Sequence, residues 1–191
     1  MTVTETKPEI TVHAELPFGL YRPVWDMYLK AFEPMRTLAP QRHVMWWEEF
    51  TDMMADDRVS KVLLHAGDTP LGLACYTNVL TAVPLIEPAY FRAREPKLAE
   101  LNHIWYTAFV CVRQDRPRPG ASAFKRLICK LAEPIVPVHG VCFMDYATVR
   151  VNQGLPEKAN RLLGAEFDGR SEYEEVGAQH YYGYYPGGRP E

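Results

Sequence analysis

The sequence predicts an α+β domain in which helices flank a sheet, and three observations carry that reading. Residues 104–112, Ile-Trp-Tyr-Thr-Ala-Phe-Val-Cys-Val, are apolar or aromatic almost throughout and rich in strand formers, as a strand buried on both faces requires. Residues 113–123 are basic and hold Pro117, Pro119 and Gly120, which excludes a helix interior and a central strand; Phe124, Leu127, Ile128 and Leu131 then recur at helical spacing. Residues 59–65 and 71–79 are apolar runs on either side of Gly67-Asp68-Thr69-Pro70, the pattern of an antiparallel pair joined by a short turn.

The other elements follow in order. Residues 1–17 read as a mobile N-terminal segment, since residues 1–11 are polar and without periodicity and Leu16-Pro17-Phe18-Gly19 turns the chain. A helix starts near Pro23, buries Trp25, Tyr28, Leu29 and Phe32, and is limited by Pro34. A second spans 41–55 with Val44, Trp47, Phe50 and Met54 as its core stripe. Residues 80–103 are interrupted by Pro84, Pro88 and Pro96 and carry Tyr90, Phe91, Arg92 and Arg94, so they read either as a lid over a substrate or as a passive insertion. Residues 136–144 supply a strand that can lie beside 104–112, and 145–152 leave the sheet. A helix over 155–163 begins at Pro156 and ends at Gly164, a short strand and turn occupy 165–169, and a final strand covers 179–185. The domain thus runs over 18–185, with 186–191 a flexible tail.

Composition bounds the function. A chain of 191 residues with 47% hydrophobic content builds one globular core, and a net charge of -3 gives no general case for nucleic acid or acidic membranes as partners. The cysteines at 75, 111, 129 and 142 form no CxxC pair and read as reduced thiols of a cytoplasmic protein. There is no N-terminal apolar signal and no apolar run of about 18 residues, so neither export nor a membrane span is expected. The six histidines are scattered without an HExxH pair, and neither a Walker loop nor a GxSxG elbow is present; no metal is expected. The basic loop before residue 124 reads in two ways: as an anion site made of helix-start N–H groups and arginines, or as a crossover whose charges face water.

This order of elements resembles the GCN5-related N-acetyltransferase (GNAT) superfamily over roughly residues 18–185. The most specific part is the cofactor motif, Arg/Gln-x-x-Gly-x-Gly/Ala between a strand and a helix, where Val112 matches the strand end and Gly120 the first glycine. Ser122 stands where glycine or alanine is usual, Pro117 where Arg or Gln is usual, and the family's late-helix tyrosine is replaced by the neighbourhood of Leu162 and Leu163. The resemblance implies a GNAT-like three-layer α/β/α arrangement around a mixed, largely antiparallel sheet. It also implies acetyl-CoA or another acyl-CoA as cosubstrate and direct acyl transfer to a small-molecule amine. Its pantetheine arm would pair with the end of the central strand at Val110, Cys111, Val112 and Arg113. Its phosphates would meet Arg118, Pro119, Gly120, Ala121, Ser122 and Ala123. A non-catalytic domain of the same fold, or an enzyme using a carrier-protein thioester, fits the same departures.

Direct transfer needs an acceptor for the amine's proton and a donor to the departing thiolate. Tyr146, just after the 136–144 strand, and His103, just before the central strand, are the candidates, each set against a packing or surface role. Glu33 and Glu49 come from helices expected near the acceptor, and Tyr90, Phe91 and Arg92 offer apolar area and positive charge to an acceptor with an aromatic or anionic part. The terminal His180-Tyr181-Tyr182-Gly183-Tyr184-Tyr185 run would turn half its rings outward, toward an aromatic or sugar substrate, a homodimer partner, or nothing.

Overall fold

The computed structural model describes residues 7–84, 86–114 and 119–182, with only the backbone described over 119–121. The chain opens with β1 (Glu9–His13) and a 3-10 turn (Phe18–Leu20), followed by α1 (Tyr21–Phe32), α2 (Met35–Leu38) and α3 (Trp47–Ala55). The hairpin β2 (Ser60–Ala66) and β3 (Thr69–Thr77) leads through a second 3-10 turn (Leu80–Ala82) to α4 (Pro88–Arg94) and α5 (Pro96–Glu100). Then come β4 (Ile104–Val112), α6 (Pro119–Ala132), a third 3-10 turn (Val136–Val138), β5 (Val141–Met144), α7 (Thr148–Asn152) and α8 (Leu155–Glu166). The strands lie in the order β1-β2-β3-β4-β5; the first three pairings are antiparallel and β4 with β5 is parallel. A parallel neighbour needs a crossover, which α6 supplies. Helices cover both faces, so the expected mixed, largely antiparallel sheet in a three-layer arrangement is what the chain forms.

Each face has its own core. On one side Tyr28 of α1 and Phe50 and Met54 of α3 pack with Leu63, Leu73, Cys75, Phe109 and Cys111 of the sheet. On the other, Ala123, Leu127 and Leu131 of α6 pack with Val62, Leu64, Ala74, Tyr76 and Trp105; of the residues the helical spacing marks, Leu127, Ile128 and Leu131 are buried, whereas Phe124 is only half-buried. Gly72 makes the second contact possible, because a Cβ there would lie 2.8 Å from Leu127 Cδ1 and 3.2 Å from the Cys111 carbonyl. A third cluster joins Phe91 and Leu98 of α4 and α5 to Ile104, Tyr106 and Phe143.

Several expectations are corrected. Glu9–His13, inside the segment expected to be mobile, pairs in register with Lys61–His65 as an edge strand. The second helix starts at Trp47 rather than 41, since the Glu49 carboxylate accepts the Trp46 N–H at 2.7 Å and caps it there. The 136–144 strand is only Val141–Met144, its first part being a 3-10 turn that ends in the left-handed conformation at His139 (φ 49°). Residues 165–166 continue α8 instead of forming a strand. Residues 179–182 carry no regular secondary structure where a final strand was expected; 183–185 and the tail 186–191 lie outside the described residues.

Candidate functional site

One irregularity in β4 creates the site. Cys75 pairs with Phe109 but Tyr76 pairs with Thr107, so Ala108 is an extra residue in β4. Such a bulge bends its strand and raises the local twist. It also shifts the side-chain alternation by one. Tyr106 and Phe109 consequently face the same side, toward Phe91 and Tyr28 respectively, while Trp105 and Val110 face α6.

The neighbouring pairing stops at the same place. The last parallel partners are Thr107 and Met144, and beyond them, among the described residues, no strand lies beside Ala108–Val112 on that side. The Arg113 N–H donates to the Leu71 carbonyl at 2.9 Å, so alternation directs the main-chain groups of Val110 and Val112 away from β3, toward the opening. Gln114 Nε2 reaches back to the Val112 carbonyl at 3.0 Å. The opening therefore exposes strand-type donors and acceptors in the middle of a sheet. Past its far end begins α6 at Pro119, with Gly120, Ala121 and Ser122 in the first turn, where helix N–H groups have no intrahelical partner.

The near end of the opening is lined by polar groups. The Tyr106 hydroxyl donates to Asp145 Oδ1 at 2.8 Å, and Thr107 Oγ1 lies 3.2 Å from Cys142 Sγ. Tyr146 follows Asp145; burial foremost, then Cys142 and Asp145, pushes its phenol up to about 12. Burial and then Asp145 also raise Tyr106 well above the ordinary tyrosine value. Burial pushes the Cys142 thiol up to about 11 and Cys111 to about 12, so these sulfurs stay protonated and do not act as nucleophiles near neutrality. Among the described residues no group of three His, Cys, Asp or Glu side chains converges for a metal ion, and no helix is long and apolar enough to cross a membrane.

The residues singled out in the sequence fall in different places. Tyr146 lies at the near end of the opening. His103 does not: its N–H donates to Leu98, its ring stacks on Trp105 at 6.1 Å, and its Nδ1 is buried without a partner. It precedes Thr107 by about 13 Å of strand. Val110 and Val112 flank the opening, whereas the Cys111 side chain is buried on the α1 face. Ala123 is buried under α6 and Ser122 is exposed; Arg118 lies outside the described residues.

Of the residues expected near an acceptor, Glu33 pairs with Arg36 at 3.1 Å on the surface. Glu49 is already engaged, accepting from Arg42 through both oxygens at 2.5 and 2.7 Å as well as capping Trp46; the Arg42 bonds foremost lower its pKa. Phe91 packs edge-on to Tyr106 at 5.6 Å and tilted on Phe143 at 4.8 Å, so it supports the polar cluster from behind. The Tyr90 hydroxyl donates to the Val176 carbonyl, and Arg92 is exposed. Tyr106 and Asp145 went unread in the sequence. Tyr106 looks like one more ring in an apolar strand, and only the polar Asp145-Tyr146 step directly after the next strand hinted at the cluster.

No family model matches this chain, and no curated protein does. Among solved structures, the chain is similar to a crystal structure of an aminoglycoside acetyltransferase from an uncultured soil metagenomic sample in complex with trehalose. The two share 13% sequence identity over 93% of this chain and 97% of that one, with a TM-score of 0.49.

Proposed function

We propose that the protein is an acyl-CoA-dependent N-acyltransferase that moves an acetyl group to a small-molecule primary amine. The observation that carries this reading is the gap beside Ala108–Val112, a strand edge held open inside the sheet and leading to the start of α6. An extended amide-bearing arm such as pantetheine fits a strand edge, because its amides can take the hydrogen bonds a second neighbouring strand would otherwise make. Its phosphates then fall at the unpaired N–H groups of the first turn of α6. This arrangement sets the thioester at the closed end of the gap, beside Tyr146.

The chemistry needs no covalent enzyme intermediate. The amine nitrogen attacks the thioester carbonyl carbon, the N–C bond forms, the C–S bond breaks, and the thiolate takes a proton. Tyr146 supplies that proton: a phenol held at about 12 is neutral throughout the physiological range and keeps its hydrogen until a thiolate forms beside it. The amine enters from the α1 and α4 side. There Tyr28 fixes the 43–45 loop, and α4 brings Tyr90 and Arg92, which favour an acceptor with an aromatic or anionic part.

Equilibrium binding tests the reading first. Acetyl-CoA and free CoA should compete for one site, and a screen of amines, amino acids and peptides should release free CoA with a subset of small amines. A folded protein that binds neither ligand removes the proposal; retention of intact acetyl-CoA with every amine makes the protein a binding module, and faster turnover of lysine-containing peptides replaces the small-amine acceptor.

A further inference from the structure

Where β4 and β5 separate, the Tyr106 hydroxyl of β4 donates to Asp145 Oδ1 at 2.8 Å, while Cys142 of β5 packs toward α6 and Tyr146 directly follows Asp145. Burial raises the two phenols and the thiol, which keeps all three neutral near neutrality. Asp145 is exposed, yet it is not free to swing. Its Oδ1 accepts from the hydroxyl of Tyr106, whose ring is buried and braced by Phe91 at 5.6 Å. That bond leaves Oδ2 without a partner among the described residues. Thr107 and Met144 form the last bridge of the parallel pair, and Asp145 is the next residue, so the carboxylate stands at the closed end of the gap.

We infer that Asp145 is the residue that receives the acceptor amine, holding it as an ammonium and taking a proton from it before the nitrogen attacks, and that Tyr106 is the positioning residue that aims it. This rests on the acyltransferase reading above and assigns the half of the reaction that reading leaves open. The protons balance with solvent. The ammonium first gives one proton to Asp145, freeing the nitrogen lone pair, and Asp145 passes that proton on to solvent; the N–C bond then forms as the C–S bond breaks, Tyr146 gives its proton to the thiolate, and the second nitrogen proton returns through Asp145 and solvent to the tyrosinate. One carboxylate and one neutral phenol beside each other divide the roles, since only a charged oxygen attracts an ammonium and only a phenol can donate. Glu49, the alternative carboxylate, is held in both directions by Arg42 and the Trp46 N–H and cannot turn to a substrate without breaking them.

The test uses acetyl-CoA with tyramine, spermidine and a lysine-containing tripeptide as acceptors, and compares wild type with Asp145→Asn and Tyr106→Phe. Both variants should keep acetyl-CoA affinity. Asp145→Asn should lower transfer at neutral pH on the order of a hundredfold, recovering as pH rises and the acceptor arrives already neutral. Tyr106→Phe should lower it by about tenfold and shift the pH profile in the same direction, a change that loss of packing alone does not produce. Wild-type protein that fails to bind acetyl-CoA overturns the acyltransferase reading itself. Transfer by Asp145→Asn within about threefold of wild type, with an unmoved pH profile, overturns only the assignment of Asp145. An unchanged profile in Tyr106→Phe overturns the positioning role, and binding without transfer to any of the three amines overturns the assignment for primary amines.

Discussion

The hydroxyl of Tyr28 stands between two main-chain groups of a loop far along the chain, accepting the Met45 N–H at 3.0 Å and donating to the His43 carbonyl at 3.2 Å. Its ring meanwhile packs against Phe109 at 5.1 Å. One residue thus couples the 43–45 loop to the strand that carries the bulge. Tyr28→Phe keeps the ring and orphans both loop groups, which should cost about 1–3 kcal/mol. Thermal unfolding should then begin several degrees lower, with acetyl-CoA affinity little changed. An unaltered midpoint would mean that water replaces the hydroxyl without loss.

Gly140 should tolerate no side chain. A Cβ there would lie 2.5 Å from the Trp105 ring and 3.0 Å from the His103 carbonyl, and the ring cannot step back while it stacks on His103. Gly140→Ala should destabilise by about 1–3 kcal/mol through overpacking. Urea unfolding would register this as a lower midpoint with the same slope.

Tyr146→Phe should separate chemistry from packing. Single-turnover transfer at saturating acetyl-CoA should fall by roughly a hundredfold while acetyl-CoA binding is kept. Because the phenol is held near 12, wild-type transfer should show no falling limb from this group as pH rises from 7 to 10. Wild-type rates in the variant would remove Tyr146 as the donor.

Lys61 sets a pH dependence of stability. It is fully buried in β2, its Nζ donating to the Ala14 carbonyl at 2.6 Å and to the Asp56 carbonyl, and burial above all lowers its pKa from 10.5. Between the lowered folded value and 10.5 the unfolded chain binds the extra proton, so stability gains from rising pH across that window. Unfolding free energy of wild type minus that of Lys61→Met should therefore grow as pH climbs toward 10.5. A difference that stays flat, or shrinks, contradicts the sign.

The parts of this fold that could be read in advance are those where periodicity and burial agree. The 59–79 hairpin, the apolar β4 and Leu127, Ile128 and Leu131 of α6 bury the residues their spacing marks, whereas Phe124 of the same stripe is only half-buried. What escaped was set by contacts at a distance. β1 is polar in sequence and exists because the β2 edge offers it partners. The bulge at Ala108 has no Gly or Pro to announce it, and without it Tyr106 looks like any core ring in an alternating strand. Tyr146 drew attention by its position after the 136–144 strand, whereas Asp145 stands out only through the bond it accepts from the Tyr106 hydroxyl.

The chain after α8 is fastened to α4 at widely separated points in sequence: Tyr90 donates to the Val176 carbonyl, Arg94 meets Glu174 at 2.6 Å, and Val176 packs into the cluster with Phe91. Surface ion pairs of this kind add little, so the half-buried valine and the tyrosine bond carry the attachment. The helix behind Tyr106 is thus held partly by a strap without secondary structure of its own. Cutting the chain near Arg170 would leave every strand in place but release α4, together with the Ser171–Asn160 bond to α8, making the strap a remote adjuster of how firmly the mouth of the gap is framed.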